Sequence, residues 1–121
     1  MMLVDDEEDI LKVSEQVLNH DGYRVHAFSD PVTGLNHVVK ENCNQCTILI
    51  SDIKMPNMSG FELVRKVKLA RPEMKIILTS AFVIHKEEFK KVLPSVKVDD
   101  FVQKPYSNKE LIEAIKKYAP Q

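Results

Sequence analysis

The sequence predicts an α/β fold in which five short strands alternate with five amphipathic helices around a doubly wound parallel sheet. Two observations point there. Apolar periodicity switches repeatedly between a strand-like and a helix-like pattern along the chain, and such alternation implies a parallel sheet with helices on both faces. The segments Ile48-Leu49-Ile50 and Ile76-Ile77-Leu78 are continuous apolar runs, as expected of strands covered on both sides. The length of 121 residues suits a single domain, residues 1–121, with a real core and no room for a second.

Strands are expected at Met2–Val4, Tyr23–Phe28, Thr47–Ser51, Lys75–Thr79 and Asp100–Gln103. The first helix is marked by the stripe Ile10/Val13/Val17 and the second by Val32/Leu35/Val39. Val64/Val67 mark the third, Phe89/Val92/Leu93 the fourth and Leu111/Ile115/Tyr118 the fifth. Gly22 suits the turn after the first helix, and Ser59-x-x-Glu62 and Ser107-x-x-Glu110 read as capping boxes opening the third and fifth. The second strand carries Arg24 and His26, and the fifth carries Asp100 and Gln103, so both tolerate water and belong at the edges. Placing them outside gives the flavodoxin-like (βα)5 order 2-1-3-4-5 as the simplest fit.

Composition excludes several classes of function. An apolar fraction of 44% and a charged fraction of 29% are those of an ordinary globular domain. A net charge of -1 gives no overall basic field to draw the chain to nucleic acid or to a membrane surface. The lysines at Lys86/Lys90/Lys91 and Lys116/Lys117 read as solvated helix faces. No apolar run approaches membrane-spanning length and the start meets acids at once, so a cytoplasmic location is expected. Cys43 and Cys46 form a lone C-x-x-C that precedes a strand, unlike a redox pair that opens a helix. A zinc site would need further ligands, and His20, His26 and His37 lie on separate expected elements, so incidental reduced thiols are the expectation.

Ligands of such sheets bind beyond the carboxyl ends of the strands. Those ends collect Asp5 and Asp6 after the first strand, Asp52 after the third, Ser80 after the fourth and Lys104 after the fifth. Singly, each has a bland explanation: Asp5 and Asp6 suit a helix N-terminus, and Lys104 suits a solvated surface. Jointly, they converge on one edge. Three packed carboxylates repel one another, and a hard cation such as Mg²⁺ relieves the repulsion while keeping several waters. A phosphoryl oxygen can fill an open position at the metal, with Lys104 and Ser80 facing the others. The pocket thus suits a phosphoryl group, with a carboxylate as candidate nucleophile.

At this point the sequence resembles the receiver domain of two-component response regulators, the CheY-like family. The matching pieces are "LVDDEEDI", "LISDIKMPNMSGFELV", "ILTSAF" and "DDFVQKPY", in family order and spacing over essentially the whole chain. The resemblance implies that Asp52 is the phosphoacceptor, taking a phosphoryl group from the phosphohistidine of a sensor histidine kinase or a histidine phosphotransfer protein. It implies Mg²⁺, for which Mn²⁺ can substitute, on Asp6, Asp52 and the Lys54 backbone carbonyl, with Asp5 holding a metal-bound water. Lys104 and Ser80 would contact the phosphoryl oxygens. Ser80 is preferred to Thr79 because it directly precedes Ala81 and stands 28 residues beyond Asp52. Phe101 matches the aromatic switch position. The face of the fourth helix, fifth strand and fifth helix would serve an output partner or a homodimer.

Some departures concern that face. Lys97-Val98 replaces the family's Gly-Ala, and Pro94 ends or bends the fourth helix early. Pro105 allows a cis bond after Lys104. Lys54 and Phe82 are expected to flank the path of a hydrolytic water and so to set the phosphoaspartate lifetime; the alternative is that both point to solvent. The implied role is a signalling module with self-catalysed phosphoryl transfer and autodephosphorylation, not an ordinary enzyme. A haloacid-dehalogenase-type phosphatase would want an acid where Lys54 stands. A phosphate-independent interaction module would not need all five key side chains. Whether the chain is a stand-alone regulator or part of a longer one stays open.

Overall fold

The computed structural model describes residues 1–41, 46–81 and 98–118. Five parallel strands, β1 (Met2–Val4), β2 (His26–Phe28), β3 (Ile48–Asp52), β4 (Lys75–Ser80) and β5 (Asp100–Gln103), form one sheet in the order β2-β1-β3-β4-β5. The register pairs Met2 with His26 and Leu49, Asp52 with Thr79, and Ser80 with Gln103. Helices α1 (Glu8–His20), α2 (Pro31–Val39), α3 (Gly60–Ala70) and a C-terminal helix (Asn108–Lys116) follow β1, β2, β3 and β5. This is the doubly wound, flavodoxin-like architecture expected. The expected fourth helix, with Pro94, lies outside the described residues. No helix among the described residues is long and apolar enough to cross a membrane.

Strand alternation splits the core into two layers. Met2, Val4, Leu49, Ile76 and Leu78 point to the side of α2 and α3, where they meet Val38, Leu63, Val64 and Val67. Leu3, Ile48, Ile50 and Ile77 point to the other side and meet Leu18 of α1 with Leu111 and Ile115 of the C-terminal helix. Each fully buried aliphatic side chain contributes roughly 1.5–3 kcal/mol, so the three central strands anchor the polar residues at their ends.

Three local expectations are corrected. The second strand begins at His26 rather than Tyr23, because its neighbour β1 offers only three residues to pair with, Met2 to Val4. β3 runs one residue further than expected, to Asp52, and β4 to Ser80, so both site residues are held by the sheet itself. The stripes assigned to the first two helices are displaced. Val13 is 55% exposed, Val32 40% and Val39 50%, while α1 buries Ser14 and Leu18 and α2 buries Pro31, Gly34 and Val38. Small and polar residues occupy these inner faces: Ser14 Oγ is hydrogen-bonded to Tyr106 Oη at 2.9 Å, and Gly34 lies where Val4 and Phe28 approach.

The ends of the helices follow their caps. Ser107 and Glu110 form a complete capping box. Ser59 Oγ accepts the Glu62 N–H at 3.2 Å, while the Glu62 carboxylate lies 3.5 Å from Lys66. Asp30 caps α2 ahead of Pro31 at the first helical position. Gly22 turns the chain after α1 with φ of 93°.

Candidate functional site

The four strand ends meet at one edge of the sheet. Asp5 follows β1, Asp52 ends β3, Ser80 ends β4 and Lys104 follows β5, and all four are buried. Backbone bonds between neighbouring strands hold them in place. The Asp5 N–H donates to the Phe28 carbonyl at 3.1 Å, that of Ile53 to Thr79 at 3.1 Å, and that of Lys104 to Ser80 at 2.7 Å. The Lys104–Pro105 bond is cis.

Lys104 is the hub. Its ammonium lies 2.8 Å from Asp5 Oδ2, 3.2 Å from Glu7 Oε1 and 3.3 Å from Asp52 Oδ2. The other oxygen of each buried aspartate accepts a backbone N–H: Asp5 Oδ1 from Glu7 and Asp52 Oδ1 from Ile53, each at 2.9 Å. Each carboxylate therefore has one oxygen fixed by the backbone and the other turned to the pocket. Behind the site, α3 begins so close to β3 that a Cβ on Gly60 would be driven into the Asp52 carbonyl oxygen, while the Gly60 N–H donates to the Ile53 carbonyl at 2.7 Å.

The electrostatics follow from burial. Loss of water pushes the Asp52 carboxyl up to about 6, despite the Lys104 charge that pulls it down, and the Asp5 charge pushes the same way as burial. Burial raises Asp5 too, against the hydrogen bond and charge of Lys104. Burial works against the Lys104 ammonium, but the hydrogen bond and charge of Asp5 and the charge of Asp52 outweigh it and raise its pKa. Burial also raises the neighbouring Tyr106 phenol. With Asp5, Glu7 and Asp52 all ionised, one ammonium leaves two negative charges in excess, the two aspartates buried and Glu7 half exposed.

Of the residues singled out from sequence, Asp5, Asp52, Ser80 and Lys104 meet at this edge, while Asp6 is not in the carboxylate group that Asp5, Glu7 and Asp52 form. Ser80 is buried at the tip of β4, with its carbonyl bonded to Lys104. Phe101 pairs with Leu78 and packs, partly buried, against the α2–α3 side of the core. Asp6 is partly buried and Lys54 exposed. Phe82 lies outside the described residues. Glu7 was not anticipated: its carboxylate oxygen, with one from each of Asp5 and Asp52, makes a group within 4.8 Å of one another. Its sequence signal was its place two residues after Asp5 in an unbroken acidic run.

The receiver domain family of response regulators, described as "Response regulator receiver domain", matches residues 1–116. The chain belongs to this family. Among solved structures, a response regulator receiver domain protein from Clostridium thermocellum superposes with a TM-score of 0.83 at 28% identity, over 97% of this chain and 90% of that one. Among curated proteins, the sensor kinase CckA of Brucella abortus is 30% identical over 116 residues, 96% of this chain and 12% of that protein. The response regulator SaeR of Staphylococcus aureus is 28% identical over 113 residues, 93% of this chain and 46% of that protein. The receiver domain thus spans less than half the length of the curated relatives it matches.

The donor set of this receiver domain fits a hard divalent cation. It offers carboxylate oxygens, and the two excess negative charges are what one such ion would neutralise.

Proposed function

We propose that residues 1–121 form one receiver domain that serves as the phosphoacceptor module of a two-component phosphorelay. Asp52 accepts the phosphoryl group of a phosphohistidine on a sensor histidine kinase or a histidine phosphotransfer protein. The observation that carries this reading is the setting of Asp52: a buried carboxylate with one oxygen fixed by the Ile53 N–H and the other 3.3 Å from the Lys104 ammonium.

In the transfer, a carboxylate oxygen of Asp52 forms a bond to phosphorus as the bond from phosphorus to the donor imidazole nitrogen breaks. The imidazole keeps the electron pair and takes up a proton. Lys104, already poised beside Asp52, exchanges carboxylate contacts for phosphoryl oxygens and offsets their charge. Ser80 donates its hydroxyl to the same group. Asp6, Asp52 and the Lys54 carbonyl would hold Mg²⁺, or Mn²⁺ in its place, with Asp5 acting through a water. The ion supplies further neutralisation of the phosphoryl oxygens. Hydrolysis of the phosphoaspartate by water resets the module, with Lys54 and Phe82 flanking the approach, so the domain is a self-modifying switch rather than an enzyme with a separate substrate.

Recruitment of Ser80 vacates space that Phe101 fills, and the face of β5, the C-terminal helix and the expected fourth helix changes for an output partner or second copy. The setting is cytoplasmic. Intact-mass spectrometry after incubation with acetyl phosphate and Mg²⁺ tests the reading. A gain of one phosphoryl group, lost with EDTA and in Asp52→Ala, is expected; labelling of Asp52→Ala equal to that of the natural chain would overturn it.

A further inference from the structure

At the opposite end of the sheet, three residues from separate elements converge. His26 opens β2, His37 lies in the last turn of α2, and Cys46 is fully buried just before β3. One potential ligand atom from each lies within 4.8 Å of the other two. The two imidazole centroids are 4.6 Å apart. Cys46 and Asp52 are six residues apart along a mostly extended segment, so about 20 Å separates this cluster from the phosphoacceptor edge.

The cluster has an organised second layer. His37 Nδ1 is 2.6 Å from Glu41 Oε2, one helical turn further on. That contact orients the ring, and in the neutral tautomer that donates Nδ1–H to the carboxylate, Nε2 carries the lone pair. Nε2 is buried and has no hydrogen-bond partner among the described residues. A buried ring nitrogen without a partner is costly and calls for a physical explanation. A carboxylate that orients an imidazole for a metal is a recurrent arrangement in metal sites.

We propose that His26, His37 and Cys46 bind one thiophilic divalent ion of the zinc type, with Glu41 orienting His37. Two imidazoles and a thiolate are a donor set for zinc and its cobalt analogue, and a solvent molecule can complete a tetrahedron. Metal–nitrogen and metal–sulfur bonds of about 2.0–2.3 Å place tetrahedral ligands roughly 3.3–3.6 Å apart, so the three atoms close in by small side-chain rotations. Binding replaces the Cys46 S–H with a metal–sulfur bond and releases that proton to solvent, while both histidines bind neutral. The bound ion ties α2 to the edge strand β2 and to the start of β3. None of this depends on the phosphoacceptor reading.

The test uses Cys43→Ser, in which Cys46 is the one thiol left in the chain, purified with chelator and titrated with Co²⁺. One equivalent is expected to bind with a thiolate-to-cobalt charge-transfer absorption that Zn²⁺ displaces, and Zn²⁺ should raise the thermal midpoint. His37→Gln should weaken binding at least tenfold. Glu41→Gln, a change at an exposed side chain that leaves folding intact, should weaken it about tenfold. Asp52→Ala should give the same charge-transfer titration as its parent. Absence of the charge-transfer absorption in Cys43→Ser overturns the proposal, and so does a charge-transfer titration that Glu41→Gln and His37→Gln leave unchanged.

Discussion

Replacing Asp52 by Asn should stabilise the metal-free domain, although it removes an ion pair. Burial lifts the Asp52 carboxyl from its ordinary 3.8 to about 6, so ionising it costs more in the folded than in the unfolded chain. At about 1.4 kcal/mol for each tenfold change in the proton equilibrium, the full cost is roughly 3 kcal/mol. The sign follows from proton counts. Between about pH 4 and pH 6 the folded state holds more protons at this position than the unfolded state, so stability falls as pH rises through that window. Below it the penalty vanishes, and above it the penalty is complete. Asn keeps the oxygen that accepts the Ile53 N–H and leaves Lys104 with Asp5 and Glu7. Urea unfolding in EDTA should therefore find Asp52→Asn more stable by roughly 3 kcal/mol at about pH 8 and by about half that at about pH 5. A variant that is less stable than the natural chain at pH 8, or a difference that does not change with pH, would refute the argument that Asp52 is held ionised at a cost.

Three further outcomes follow from named contacts. Gly60→Ala should destabilise the domain by at least 1–3 kcal/mol, the usual range for overpacking, because its Cβ meets the Asp52 backbone; phosphorylation should slow with it, as paired urea and labelling assays would read. Ser107→Ala should cost about 1 kcal/mol in urea unfolding through loss of its cap, with phosphorylation unchanged. Ser80→Ala should still accept a phosphoryl group yet lose most of the NMR response around Phe101 to a beryllofluoride mimic, and an undiminished response would break the proposed coupling.

Much of this was legible in the sequence because the strands carry the strongest signal. Ile48-Leu49-Ile50 and Ile76-Ile77-Leu78 read as central, the polar character of the second and fifth strands sends them to the edges, and the simplest order that fits, 2-1-3-4-5, is the one observed. Asp5, Asp52, Ser80 and Lys104 were readable because a strand end fixes where its next residue lies. The helix faces of α1 and α2 were misread because their inner surfaces carry Ser14 and Gly34, which apolar periodicity does not register. Glu7 was missed because its contact depends on how the chain turns into α1, with its N–H held by Asp5 Oδ1. The meeting of His26, His37 and Cys46 was hidden for a related reason: a helix, a strand and a loop come together there only through packing.

The central claim is that one particular carboxylate carries the phosphoryl group, and its direct test is chemical mapping. Borohydride reduces an aspartyl phosphate to homoserine, which tandem mass spectrometry locates to a single residue. After incubation with acetyl phosphate and Mg²⁺, homoserine should appear at position 52 and vanish when EDTA is present during labelling. Homoserine at Asp5 or Asp6, or the five-carbon alcohol 5-hydroxynorvaline at Glu7, in place of homoserine at position 52, or no reduced residue in a chain that has gained phosphate, would contradict the account.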